Sequence, residues 1–205
     1  MIIYLHGFRS GPQSFKAQAM GADMAERGMS GHFLCPALPF DPVAAIALIE
    51  SLIAQCQAAG QQPTLVGSSL GGYYATWLAE KHDLKAALIN PAVLAHVSLA
   101  DYIGPLKHFY TEEVFEFTQA HIDALRDLEV AQPTPARYLL LAEKGDEVLD
   151  WRQAAARYAG CLQVILDGGD HSFTRFSDYL PTILDFAGVA NIGDHRVETT
   201  TAPRI

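Results

Sequence analysis

The segment Gly67-Ser68-Ser69-Leu70-Gly71 sets a serine between two glycines in a G-x-S-x-G pattern. A serine hydroxyl is a poor nucleophile near neutral pH and attacks an acyl carbon only when a base takes its proton. The glycines supply what such a serine needs mechanically. On a strained turn between a strand and a helix, the residues two before and two after the serine crowd one another, and only glycine has no Cβ to clash. The flanks fit that turn: Thr64-Leu-Val-Gly67 reads as a strand entering it and Leu70–Lys81 as a helix leaving it. Ser69 is the expected nucleophile, since Ser68 lacks the symmetric glycines. Gly72 is expected to let the helix pack close to its strand.

A base and an orienting acid should complete the set. Of the eight histidines, His32, His82, His96, His108, His121 and His195 have no supporting motif, and ordinary structural roles are expected of them. His171 differs, because it lies in Asp167-Gly-Gly-Asp-His-Ser-Phe173, a glycine-rich loop following the apolar run Leu162–Leu166. The preceding apolar run, Arg137–Ala142, opens into Glu143-Lys-Gly-Asp-Glu-Val-Leu-Asp150. Asp146, directly after Gly145, is best placed to accept a hydrogen bond from the His171 ring and stabilise its cation. Glu147 and Asp150 compete for that role, and Asp170 better suits the shaping of its turn. An oxyanion needs two converging N–H groups. Leu70 would supply one and Phe8, in Tyr4-Leu-His-Gly-Phe8, the other, with His6 bracing the loop.

These residues need a frame that brings distant loops to one rim. Candidate strands are Ile2–Leu5, His32–Cys35, Thr64–Gly67, Ala86–Ile89, Arg137–Ala142 and Leu162–Leu166, mostly apolar without alternation, as parallel strands covered on both faces are. Between them Ser14–Arg27, Val43–Ala58, Leu70–Lys81, Trp151–Ala159 and Arg175–Phe186 have helical period. Asp41-Pro42 reads as an N-cap followed by a first-turn proline. Strands alternating with helices imply about six mainly parallel strands with helices on both faces. Such sheets bind ligands at the carboxyl ends of their strands. A longer stretch, about 92–132, breaks the rhythm with Tyr102, Phe109, Tyr110, Phe115 and Phe117 and a short helix near Gln119–Leu128. It reads as a small helical cap inserted into a single domain over 1–190, followed by a flexible polar tail over 191–205.

Composition narrows the function. In 205 residues, half are apolar and 18% charged, so a packed core is within reach and a disordered chain is excluded. A net charge of −9, with only 14 scattered Lys and Arg, argues against nucleic acid and anionic membranes. The three dispersed cysteines, Cys35, Cys56 and Cys161, form no metal or disulfide pattern and suit a reducing, cytoplasmic setting. No phosphate loop, dinucleotide fingerprint or H-E-x-x-H is present, so no cofactor or metal is expected.

Five motifs in order also carry a family resemblance. Ile3-Tyr-Leu-His-Gly-Phe8 with Ser10, Pro12, Ser14 and Lys16, then Leu65-Val-Gly-Ser-Ser-Leu-Gly-Gly-Tyr-Tyr-Ala-Thr-Trp77, resemble the opening and elbow of the YqiA-like esterases, small bacterial α/β-hydrolases. Ile89-Asn-Pro-Ala-Val93, Gly145-Asp-Glu-Val-Leu-Asp150 and Gly168-Gly-Asp-His-Ser-Phe173 are similar to that family's fourth-strand exit, acid loop and histidine loop. The likeness spans about residues 1–188. It implies an α/β-hydrolase fold and hydrolysis of carboxylic esters or acyl thioesters, with Ser69, Asp146 and His171 as the triad. Leu94-Ala95 stands where that family tends to have Arg-Pro. The expected partner is a small-molecule ester or thioester; Arg9, Lys16 and Lys107 could receive an anionic leaving group such as coenzyme A. The alternative is a non-hydrolytic protein of the same fold, a lyase, a perhydrolase or a catalytically silent binding module. Oligomeric state leaves no mark on the sequence.

Overall fold

The chain folds around eight strands and seven helices among the described residues, 1–189 of a computed structural model. The tail expected over 191–205 lies outside the described residues. In chain order the elements begin with β1 (Ile2–Leu5), α1 (Phe15–Glu26), β2 (Phe33–Leu34), α2 (Pro42–Ala58), β3 (Thr64–Ser68), α3 (Leu70–His82) and β4 (Ala86–Ile89). Next come α4 (Ala95–Ser98), β5 (Gly104–Lys107), β6 (Val114–Phe117), α5 (Gln119–Asp127), β7 (Tyr138–Glu143), α6 (Trp151–Arg157), β8 (Leu162–Leu166) and α7 (Phe176–Phe186).

Six of the strands form one sheet in the order β2-β1-β3-β4-β7-β8, every neighbouring pair parallel. All residues of β1, β3, β4 and β7 are buried, which is why these runs are apolar on both faces. One face is covered by α1 and α7, through Met20, Met24, Phe176 and Ile183. The other is covered by α2, α3 and α6, through Ile49, Ile53, Leu78 and Ala154. Fully burying such a side chain stabilises the fold by about 1.5–3 kcal/mol. Helix α2 starts where its sequence signals it, with the Asp41 carboxylate accepting from the Val43 and Ala44 amides at 2.7 and 3.2 Å and Pro42 in the first turn.

Two expectations need correction. His32 closes a short 3-10 turn, and β2 is only the pair Phe33–Leu34 at the sheet edge. The stretch 92–132 is not purely helical. Between α4 and α5 it builds an antiparallel hairpin, Gly104–Lys107 paired with Val114–Phe117. Phe115 and Phe117 are its buried face, and the alternation Val-Phe-Glu-Phe suits a strand with one side in solvent. The hairpin is tied to the loop after β1: the Phe109 amide donates to the Arg9 carbonyl at 2.8 Å, the Arg9 Nε to the Lys107 carbonyl at 2.7 Å, and the His108 ring to the Ser10 carbonyl at 2.6 Å.

Candidate active site

The strand order reverses between β1 and β3, and the loops after β1, β3, β7 and β8 meet at that carboxyl rim. Ser69 sits between β3 and α3 with φ 54° and ψ −119°, a strained conformation for a residue bearing a side chain. Close packing explains the flanking glycines. A Cβ on Gly67 would collide with the Gly71 carbonyl, and one on Gly71 with the carbonyls of Leu5 and His6. The turn is pinned from the next strand by the Ser69 amide donating to the Ile89 carbonyl at 3.0 Å. Gly72 lets α3 pack close to its own strand as expected, since a Cβ there would lie 3.2 Å from the Gly67 carbonyl, and it also makes room for Pro91, after β4, which that Cβ would meet at 2.8 Å.

Ser69 Oγ lies 3.1 Å from Nε2 of His171, and Nδ1 of the same ring lies 2.9 Å from Asp146 Oδ2. A carboxylate only accepts, so Nδ1 carries the ring proton and Nε2 is free to accept from the serine hydroxyl. The Asp146 side chain is almost fully buried while the imidazole is partly open to the site. Its Oδ1 also accepts from the Val148 and Leu149 amides at 2.9 and 2.8 Å, which fixes the carboxylate's orientation. Glu147 and Asp150, the two competitors, are otherwise engaged. Glu147 accepts the His171 backbone amide at 3.0 Å, and Asp150 caps α6 by accepting from Arg152. Asp170 is tied by its backbone, its amide donating to the Glu143 carboxylate and its carbonyl accepting Asn90 Nδ2, while its Oδ1 is buried without a partner among the described residues.

Gly7 packs against the serine, since a Cβ there would lie 3.3 Å from Ser69 Cβ. Neither the Phe8 nor the Leu70 amide donates to another group among the described residues, so both remain available beside Ser69. His6 braces this loop: its Nδ1–H donates to the Gly7 carbonyl at 3.0 Å and its Nε2 accepts the Leu38 amide at 3.0 Å. Burial lowers its pKa below the usual histidine value, in keeping with a neutral ring. Among the other described histidines, His82 meets Glu50 at 3.0 Å and His121 caps α5 at Thr118. His195 lies outside the described residues.

Two residues without a sequence-assigned role hold the histidine loop in place. Asn90, 3% exposed, directly follows β4; its Nδ2 donates to the carbonyls of Asp170 and His171 at 3.0 and 3.3 Å, and its Oδ1 accepts the Glu143 amide at 2.9 Å. Glu143, fully buried at the end of β7, accepts the Asp170 amide at 2.7 Å and Arg175 Nε at 2.8 Å. Gly169 passes so close to that carboxylate that any side chain would strike it. A charged residue ending an apolar run, and a Gly-Gly pair before a histidine, were the only sequence traces of this clamp.

Ser69 and His171 open onto a cavity of about 550 Å³, within the range that holds small molecules. Its lining includes the apolar or aromatic Phe8, Leu99, Tyr102, Phe109 and Leu149 and the polar Tyr4, Ser14, Lys16, Ser68, Ser172 and Thr174. Among the described residues, no cluster of His, Cys, Asp and Glu could hold a metal ion, and no helix is long and apolar enough to cross a membrane.

A six-stranded parallel sheet with helices on both faces and a serine elbow after its third strand defines an α/β-hydrolase fold. Solved structures agree. Alpha/beta hydrolase domain-containing protein 10 from mouse is 19% identical, with a TM-score of 0.68 over 90% of this chain and 88% of that one. Est1E from Butyrivibrio proteoclasticus, bound to ferulic acid, is 14% identical, with a TM-score of 0.67 over 92% of this chain and 89% of that one. The esterase domain of a Rhodothermus marinus protein is 18% identical, with a TM-score of 0.64 over 91% and 85%. More particularly, the chain belongs to the uncharacterised protein family UPF0227, which it matches over residues 1–188. That is the YqiA-like group its motifs resemble.

Proposed function

We propose that this chain is a serine hydrolase that cleaves carboxylic esters or acyl thioesters through an acyl-enzyme on Ser69. His171 Nε2 takes the Oγ proton as Oγ bonds to the acyl carbon, and the Phe8 and Leu70 amides hold the negative oxygen that forms. Asp146 stabilises the imidazolium. Collapse breaks the bond to the leaving group, which departs as alcohol or thiol with the proton from His171. Water then attacks the acyl carbon, gives its proton to His171, and Ser69 leaves with that proton as the acid is released. No cofactor enters these steps. The stretch 92–132 acts as a cap whose Tyr102 and Phe109 form the apolar wall of the substrate cavity. Free Cys35, Cys56 and Cys161 suit work in the cytoplasm.

The single observation behind this reading is the unbroken chain Ser69 Oγ–His171–Asp146, at 3.1 and 2.9 Å, open to a cavity. The similarity to Est1E and to the Rhodothermus marinus esterase domain points the same way. A panel of 4-nitrophenyl esters and acyl thioesters of increasing chain length tests it. Turnover in the wild type should fall by about 10³-fold or more in Ser69→Ala. Hydrolysis that survives the substitution would refute the assignment.

A further inference from the structure

The polar residues lining the cavity include hydroxyls whose hydrogen bonding is unspent. Tyr4 is fully buried and Ser14 is 9% exposed; Ser14 Oγ has no hydrogen-bond partner among the described residues, and the Tyr4 hydroxyl, with the Ser68 side chain near it, makes no well-formed bond. Ser14 is the N-cap of α1, yet its side chain makes no capping bond, and the helix's first turn holds no acidic residue. Both residues line the same cavity as Ser69 and His171. Lys16, one turn in, also lines it and donates to the Ser172 carbonyl at 2.5 Å, the residue after His171. No carboxylate lies within ion-pair distance of this ammonium among the described residues. Buried donors left empty are costly to a fold. Two such hydroxyls lining one cavity with a cation at a helix N-terminus are complementary to an anion.

We propose that Lys16, Ser14 and Tyr4 form an anion subsite beside Ser69 that takes a carboxylate carried by the substrate. The preferred substrates are then esters one arm of which ends in a single carboxylate, such as monoesters of short dicarboxylic acids. The inference rests on the reading of Ser69 as nucleophile for its substrate, but not for its ligand. A carboxylate is favoured over a doubly charged phosphate because Asp170, Glu143 and Asp146 act on Lys16 through space and make the surroundings less welcoming to a second negative charge. None of these three lines the cavity. Burial, opposed by those carboxylates, lowers the Lys16 pKa to about 8, so it is still mostly charged near neutral pH. Arg9 lines the cavity too, but its guanidinium stacks on Phe109 and bonds the Lys107 carbonyl.

Calorimetry with glutarate on Ser69→Ala tests the subsite without turnover. Glutarate should bind saturably, and adding Lys16→Met should weaken it about tenfold or more, as loss of a charge-assisted hydrogen bond does. Tyr4→Phe, nearly isosteric, should weaken it measurably and guards against a Lys16 variant that misfolds. In parallel, two esters with a carboxylate on the acyl or on the alcohol arm are each compared with the carboxamide isostere. The carboxylate form of at least one pair should have the higher kcat/KM, and Lys16→Met should reduce that ratio about tenfold. Glutarate binding that is absent, or unaffected by both variants, overturns the proposal. So does an equal fall in carboxylate and carboxamide turnover with unchanged glutarate affinity, which would make Lys16 only a brace for the Ser172 carbonyl. Lys16-dependent glutarate binding with no turnover of any ester would support the subsite and refute the hydrolase reading instead.

Discussion

Replacing Asn90 with alanine should damage both stability and turnover, although Asn90 makes no contact with Ser69 Oγ or with the His171 ring. Its side chain joins three loops: two bonds reach the carbonyls of Asp170 and His171, and one receives the Glu143 amide. Neutral hydrogen bonds contribute about 0.5–1.5 kcal/mol each, and a buried amide left without its acceptor costs about 1–3 kcal/mol. The backbone adds to this. Asn90 has φ 40°, a left-handed conformation that asparagine tolerates and alanine does not, at about 1 kcal/mol. Two lost bonds, the unpaired amide and the backbone together give a loss of about 3–7 kcal/mol. For a chain of this length that lowers the melting temperature by about 6–28 °C. Released from its clamp, the His171 loop need shift by only about 1 Å to lose on the order of 10²-fold in kcat. Thermal melting followed by calorimetry, together with kcat on the best ester of the panel, reads both effects. An Asn90→Ala protein that melts and turns over as the wild type does would refute the reasoning that this side chain holds the loop.

Other residues yield further expectations. Asp146→Asn keeps an oxygen for the Val148 and Leu149 amides but favours the wrong ring tautomer of His171, so kcat should fall by about 10⁴-fold with the melting temperature little changed; near-normal kcat in steady-state assays would contradict this. Gly71→Ala drives a Cβ into the Leu5 carbonyl and should yield little folded protein, whereas Gly28→Ala, with open space around it at φ 71°, should cost only about 1 kcal/mol; equal yields and melting curves would argue against the close approach at the elbow. Burial holds His6 below its usual 6.5, so the unfolded chain takes up that proton first, and stability present above pH 6.5 is lost as the pH falls. The wild-type melting temperature should therefore drop more steeply from pH 6.5 to about 5 than that of His6→Gln; identical slopes would mean that His6 is not held neutral.

The parts of the molecule that announce themselves locally were legible in the sequence. The Gly67-x-Ser69-x-Gly71 turn, the apolar runs that became β1, β3, β4, β7 and β8, and the glycine loop bearing His171 each carry their signal within a few residues. Asn90 and Glu143 carry only faint traces, a place in the fourth-strand exit and a charge at the end of an apolar run, because their roles lie with partners 80 and 32 residues away. Glu143 follows an apolar run that reads as ending at Ala142, and nothing local says that its carboxylate turns inward to meet Arg175. The closeness of Gly72 to its own strand was legible, but its second neighbour, Pro91, approaches only in the folded sheet. The hairpin is a different failure. Val114–Phe117 does alternate, with Phe115 and Phe117 inward, but its partner Gly104–Lys107 contains a proline and the six-residue connection has no glycine to mark the turn.

The account depends on the reactivity of one hydroxyl, and a fluorophosphonate reagent reads it directly. Incubated with the wild-type protein and analysed by peptide mass spectrometry, the reagent should add one equivalent to the peptide containing Ser69, with labelling strongly slowed in His171→Ala. An adduct on any other residue, or a wild-type serine that reacts no faster than that of the His171→Ala variant, would contradict it.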